Sequence, residues 1–250
     1  MRPRQIKIVE ILGEHERLEV SRIADLTGAS QVTVRKDLGE LETLGLIKRS
    51  HGYAVLTSTY DMHNRMAIGL DVKTRIAGLA ASLVANGETI MIESGSTSTL
   101  LAYELCKTPR GITIVTNSAF IADYVKHLPG AGIVLLGGNY QPESQVTVGP
   151  ITKLCAKEFF VTKLFFGTDG FTEEIGYTCI NHVRAETVRA MSENAGSVIV
   201  LTESRKFGQR SVAFEFSANE VDTVITDADI PMQVKSYLEQ HGARVLTVEV

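Results

Sequence analysis

Long apolar runs are missing from this 250-residue chain. No stretch approaches the roughly 20 residues that a membrane-spanning helix requires, so no membrane partner is expected. The opening Met1-Arg2-Pro3-Arg4 leads straight into a polar, amphipathic pattern, so no secretory signal is expected. Cysteine is scarce. Cys106, Cys155 and Cys179 are widely scattered, and an odd number without paired spacing argues against a disulfide frame or a zinc site. Reduced thiols in a cytoplasm fit better, and neither a metal nor a cofactor is expected. Internal repeats, low-complexity tracts and heptad arrays are absent too. A strong positive charge is also lacking, since the whole chain carries −4. Divided, residues 1–57 hold nine Lys/Arg against eight Asp/Glu, and residues 58–250 hold sixteen against twenty-one. The first part is thus only mildly basic, so one copy would hold a polyanionic partner weakly. Copies acting together would restore affinity through effective concentration, which predicts a homo-oligomer, a dimer or tetramer. What the chain does have is 44% hydrophobic residues, enough for packed cores and too many for disorder.

One stretch organises the rest. Ser30 precedes Gln31-Val32-Thr33-Val34-Arg35-Lys36-Asp37-Leu38, and its short hydroxyl suits a helix N-cap. Val34, Leu38, Leu41 and Leu44 then form a helical stripe that must face a core. The opposite side begins with Gln31, Thr33, Arg35 and Lys36, the amide, hydroxyl and cationic groups that read base edges and hold phosphates. Cations in a helix's first turns oppose the macrodipole, and a polyanionic partner resolves that conflict. Upstream, residues 4–13 read as one helix and Val20 to Gly28 as a second, with Gly28-Ala29 as the tight turn of a helix-turn-helix. Downstream, residues 46–56 read as two short strands around a glycine-bearing turn, a wing that lays Lys48, Arg49 and His51 on the DNA backbone.

Thr33-Val34-Arg35-Lys36-Asp37-Leu38, Leu41, Gly45 and His51-Gly52 ahead of Ala54 resemble the N-terminal winged helix of DeoR-type regulators. That family typically carries Thr-Ile-Arg-Arg-Asp-Leu on the helix and His-Gly-Gly-Ala in the wing. This chain departs at Lys36, which keeps charge but loses a bidentate fork, and at Tyr53, where a glycine is usual. The resemblance implies binding to a double-stranded DNA operator through Ser30, Gln31, Thr33, Arg35, Lys36, Lys48, Arg49 and His51.

Residues 58–72 lack sustained periodicity and read as a linker, partly helical near its end, between a winged helix-turn-helix at 1–57 and a second domain at 73–250. From Lys73 onward short β-branched runs alternate with amphipathic helices, which means α/β architecture with a mainly parallel sheet covered on both faces. Ligands of such sheets bind at the carboxyl ends of strands. Six loops stand there. Glu93-Ser94-Gly95-Ser96-Thr97-Ser98 joins a strand to a helix, with turn-forming glycine, convergent amides and hydroxyls suited to an anion. No Gly-Lys-Ser/Thr follows, so it is not a nucleotide-binding loop of the Walker kind. Asn117 either bonds a ligand hydroxyl or caps the next helix. Gly137-Gly138 permits close approach by a ligand or by other backbone. Asp169, between Thr168 and Gly170, is a natural acceptor for sugar hydroxyls or an ordinary turn residue. Arg184 and Glu186 stand near a helix start, and Lys206 follows a buried strand.

The resemblance extends through this half, on Ser94-Gly95-Ser96-Thr97, Thr116-Asn117, Gly137-Gly138, Thr168-Asp169-Gly170 and Ser204-Arg205-Lys206-Phe207-Gly208. It implies an effector domain similar in fold to ribose-5-phosphate isomerase and the CoA-transferase group. It also implies a small phosphorylated sugar or related metabolite as effector, with contacts at Glu93, Ser96, Thr97, Asp169, Glu186 and Lys206. Glu93 and Glu203 stand where Asp is common and Arg205 intrudes, which implies an altered effector. The function expected is a transcription regulator, a repressor of a carbohydrate-related operon. A sugar-phosphate isomerase with a DNA-binding appendage is the alternative, with Glu186 or Asp169 as general base. It is the weaker expectation, because the isomerases' Asp-Gly-Ala-Asp and glycine-rich lysine loops are missing; no catalytic residue is assigned.

Overall fold

A computed structural model describes residues 2–13, 15, 17–57 and 61–249, which form two compact units, 1–70 and 71–250. In the first unit, helices α1 (Pro3–Gly13), α2 (Val20–Thr27) and α3 (Gln31–Thr43) surround a core of Ile8, Val9, Leu12, Ile23, Val34, Leu38 and Leu41. Strand β1 (Leu18–Glu19) pairs with β3 (Tyr53–Leu56), which pairs with β2 (Ile47–Ser50) to complete the wing. Gly28 ends α2 with φ 65°, a left-handed cap that lets the chain turn into α3. The predicted apolar stripe is one residue too long. Helix α3 stops at Thr43, and Leu44 is its C-cap and 62% exposed. Leu46 and Ile47 fill the core in its place, once Gly45, at φ 74°, has turned the chain.

The stretch read as a linker is helical over part of its length. Helix α4 (Met62–Ala67) begins at Asp61, whose carboxylate accepts from the amides of His63 and Asn64. It packs on α1, buries Met62 and Ala67, and sends the Asn64 amide to the Leu46 carbonyl at 3.1 Å. Residues 58–60 lie outside the described residues.

The second unit opens with α5 (Leu70–Ser82) and β4 (Thr89–Ile92), then α6 (Ser96–Cys106), β5 (Ile112–Thr116), α7 (Ala119–Val125) and β6 (Ala131–Leu135). A hairpin of β7 (Asn139–Gln141) and β8 (Val146–Val148) precedes α8 (Pro150–Lys157) and β9 (Leu164–Phe166). Strands β10 (Gly170–Thr172) and β11 (Gly176–Cys179) are followed by α9 (His182–Ser192), β12 (Val198–Leu201) and β13 (Ala213–Phe216). The unit ends with β14 (Thr223–Asp227), α10 (Met232–Gln240) and β15 (Arg244–Val248). Among the described residues, seven strands form one parallel sheet in the order β15-β14-β12-β9-β4-β5-β6. The expected parallel α/β architecture is present. The antiparallel sheet β10-β11-β13 and the β7-β8 hairpin were not anticipated, because strands of three or four residues leave no measurable periodicity. The core runs between these layers, with Phe166, Phe171, Tyr177, Phe207 and Phe216 in mutual contact.

Candidate functional site

In the first unit, Ser30 caps α3 as its sequence suggested, accepting from the Thr33 amide at 3.2 Å. The Thr33 hydroxyl is engaged with Ser30 Oγ at 2.9 Å, so this residue shapes the helix start. Gln31, Arg35 and Lys36 lie exposed on the side away from the core, and Lys48 is exposed on β2. The wing's turn is His51-Gly52, with φ 49° and 84°. Two left-handed residues between the paired Ser50 and Tyr53 match a two-residue type I′ hairpin. Tyr53 therefore needs no glycine-like backbone. Its hydroxyl donates to Glu19 Oε1 at 2.7 Å, and Arg17 lies 4.2 Å from its ring centroid.

Arg49, exposed on β2, also has partners within the unit. Its Nε bonds Glu42 Oε2 at 2.7 Å, its backbone amide bonds Glu42 Oε1 at 3.0 Å, and Nη1 reaches the Arg35 carbonyl. These bonds hold the Glu42 carboxyl below its usual range. Arg49 thus clamps the wing to α3. Across the domain, Asp37 is buried on α3 and bridged by Arg2 and Arg4, which fixes α1 against it.

In the second unit, adjacency of β12, β9, β4 and β5 brings four of the predicted loops side by side at the carboxyl edge. The loop after β4 is buried throughout: Glu93, Ser94, Ser96, Thr97 and Ser98 are all under 7% exposed. Helix α6 begins behind Gly95 with no side-chain cap among the described residues, and the hydroxyls of Ser94 and Ser98 have no hydrogen-bond partner there. A free helix N-terminus flanked by unpaired hydroxyls is an arrangement that accepts an anion. Asn117 ties two loops together, with Oδ1 accepting from the Ser94 amide and Nδ2 donating to the Thr147 carbonyl. Asp169 accepts from the Ile180 amide at 3.0 Å. Lys206 closes a short 3-10 turn after β12, half-buried.

Two predicted residues are engaged otherwise. Gly138 owes its missing side chain to packing, since a Cβ there would lie 1.9 Å from Thr152 Oγ1. Glu186 pairs with Lys153 and His182 on the outer side of α9, and these bonds hold its carboxyl below the usual range. The inward residue of that helix is Arg184, 8% exposed, whose Nη2 bonds Glu93 Oε1 at 3.1 Å and the Ser94 carbonyl at 3.2 Å. Burial opposes its charge, but Glu93 and Asp169 outweigh burial and raise its pKa.

Among the buried charged residues thus missed or passed over are Lys73, Arg184 and Glu215. Lys73 on α5 is 3% exposed, with Nζ 3.6 Å from Glu203 Oε2. Each helical one left a trace in the sequence. Lys73 stands in register with Ile76, Ala77 and Ala80, and Arg184 with Thr187, Val188 and Met191, so each cation interrupts a core-facing stripe. Glu215, on β13, is 3% exposed, and burial with the nearby charges of Glu93 and Asp169 pushes its carboxyl up to about 8.

Comparison with known proteins agrees with both halves. Residues 4–60 match the DeoR-like helix-turn-helix domain, and residues 69–228 match the DeoR C terminal sensor domain. The transcriptional repressor AccR of Agrobacterium fabrum is 30% identical over 90% of this chain and 89% of its own. The HTH-type transcriptional regulator GolR of Listeria innocua is 29% identical over 98% of each. Among solved structures, ribose 5-phosphate isomerase A of Methanocaldococcus jannaschii is similar over 56% of this chain and 55% of its own, with 21% identity and a TM-score of 0.40.

Proposed function

Because the chain belongs to the DeoR family of transcriptional regulators, we propose that it represses a carbohydrate-related operon under control of a small phosphorylated sugar. The observation that carries the effector class is the buried, uncapped start of α6, with the unpaired hydroxyls of Ser94 and Ser98. The phosphate sits on the amides of Ser96, Thr97 and Ser98, while Glu93 and Asp169 accept from sugar hydroxyls. Lys206 adds positive charge from the neighbouring loop. Repression is supported by AccR, a relative named as a repressor.

At the operator, Gln31 and Arg35 enter the major groove while Lys36, Lys48 and His51 meet phosphates. Arg49 contributes indirectly by fixing the wing. The first unit's small net charge favours a homo-oligomer acting on paired half-sites in the cytoplasm. Effector binding then needs a coupling of only about 1–3 kcal/mol to change operator affinity roughly 5–150-fold.

The test is thermal melting of the full chain against phosphorylated sugars, the matching free sugars and inorganic phosphate, followed by operator binding with each stabilising compound. A phosphorylated sugar that raises the melting temperature and alters operator affinity, where its free sugar does neither, meets the expectation. A shift produced equally by the free sugar overturns the phosphate assignment.

A further inference from the structure

Arg184 and Glu215 hold complementary unused atoms within one buried cluster. Arg184 Nε is a donor with no hydrogen-bond partner among the described residues, and Glu215 Oε2 is an acceptor with none. Both residues are at least nine-tenths buried. Helix α9 packs against β13, and Ala185 and Ala213 fill the space between them together with Cys179. The register of β11 against β13 breaks between Tyr177 and Thr178, opposite Phe216 and Phe214, so the bulge straddles Glu215. A bulge re-aims the side chains around it. Tyr177 and Phe216 turn into the aromatic core, while Glu215 joins the charged cluster.

We propose that Glu215 is a positioning residue for the loop after β4, and that Arg184 moves between two acceptor sets according to whether Glu215 holds a proton. With Glu215 neutral, Arg184 Nη2 is committed to Glu93 and the Ser94 carbonyl and holds the start of the anion-binding loop in place. With Glu215 ionised, its carboxylate supplies the acceptor that Nε lacks. Arg184 is drawn toward β13 and the Ser94 carbonyl loses its donor.

The surrounding charges favour the neutral state. Burial, then Glu93 after β4, then Asp169 after β9, all disfavour a further carboxylate, whereas the Thr168 hydroxyl and Arg184 favour it. Cys179 on β11 remains a thiol, because burial and Glu215 both raise it. Arg189, on the outer side of α9, bonds the Phe214 carbonyl. The switch concerns which acceptor Arg184 uses; its effect on ligand affinity rests on the effector site proposed above.

The two parts are tested separately on the full chain. First, the Arg184 Nε–H resonance and the Glu215 side-chain carboxyl resonance are followed between pH 6 and 9.5, with Glu215→Gln providing the assignment. The expectation is that both move with one midpoint and that the Arg184 response vanishes in Glu215→Gln. A flat Arg184 signal, or an Arg184 response that survives in Glu215→Gln, overturns the switch. Second, sulfate, whose charge is constant over this range, serves as the anion probe. Sulfate affinity of the unaltered chain should fall about tenfold per pH unit above the shared midpoint, and that of Glu215→Gln should stay level. Coupled resonances with no sulfate binding would leave the switch standing and remove the anion role of the loop. Equal pH dependence in both proteins would show that Glu215 does not position the loop.

Discussion

Single residues divide the DNA-facing surface into groups that touch and groups that hold. Lys36 is exposed and is expected to neutralise one phosphate. Lys36→Ala should weaken binding evenly across sequences and reduce the salt-dependence slope by about 0.9, measured by titration at several salt concentrations. Arg49 is tied to Glu42, so Glu42→Gln should loosen the wing and leave the recognition side chains unchanged. The sign with pH follows from the lowered Glu42 carboxyl. Its contribution is present above the ordinary carboxylate range and is lost only as pH falls through the lowered value, so wing amides should stay protected from hydrogen exchange at mildly acid pH. Glu215 has the opposite sign. Its raised carboxyl keeps a proton that the unfolded chain gives up, so stability falls from the ordinary carboxylate range up to about pH 8 and then levels. The slope is at most about 1.4 kcal/mol per pH unit. Glu215→Gln should therefore melt higher than the unaltered chain at pH 7.5 and equally at pH 4; no difference at pH 7.5 would refute the buried acid.

At the scale of elements, α3 shows what periodicity resolves. Its stripe and cap were readable because spacing of three and four residues has one physical meaning. The end of the stripe was not, since Leu44 could be exposed only because Leu46 and Ile47 arrive after the Gly45 turn. Leu38→Ala should cost about 2–5 kcal/mol and abolish operator binding, while circular dichroism retains the signal of the α/β unit. Helix α9 shows the reverse case. Arg184 and Glu186 stand two positions apart on a helix and so face opposite ways, and the pattern of Thr187, Val188 and Met191 already favoured the arginine. Gly138, next to β7, is set by Thr152 on α8. Gly138→Ala should destabilise by about 1–3 kcal/mol, and Thr152→Ala should relieve part of that loss in thermal melting.

The whole molecule joins a small unit of weak net charge to a larger acidic one, and its parts were unequally visible in advance. The first unit's composition predicts a modest monomer affinity for DNA. Sedimentation should therefore find an oligomer at the concentrations where operator binding is tight, and a strictly monomeric, tightly binding protein would contradict this. By itself the sequence determined the helix-turn-helix, the parallel α/β order and the strand-end loops, because these depend on local periodicity, caps and turn residues. Only the tertiary structure decided which charges meet. Arg184, Glu93 and Glu215 are separated by 91 residues in one case and 31 in the other, and strand order with a β-bulge brings them into one buried cluster. Burial there sets their protonation, and burial is a property of packing that no local pattern contains.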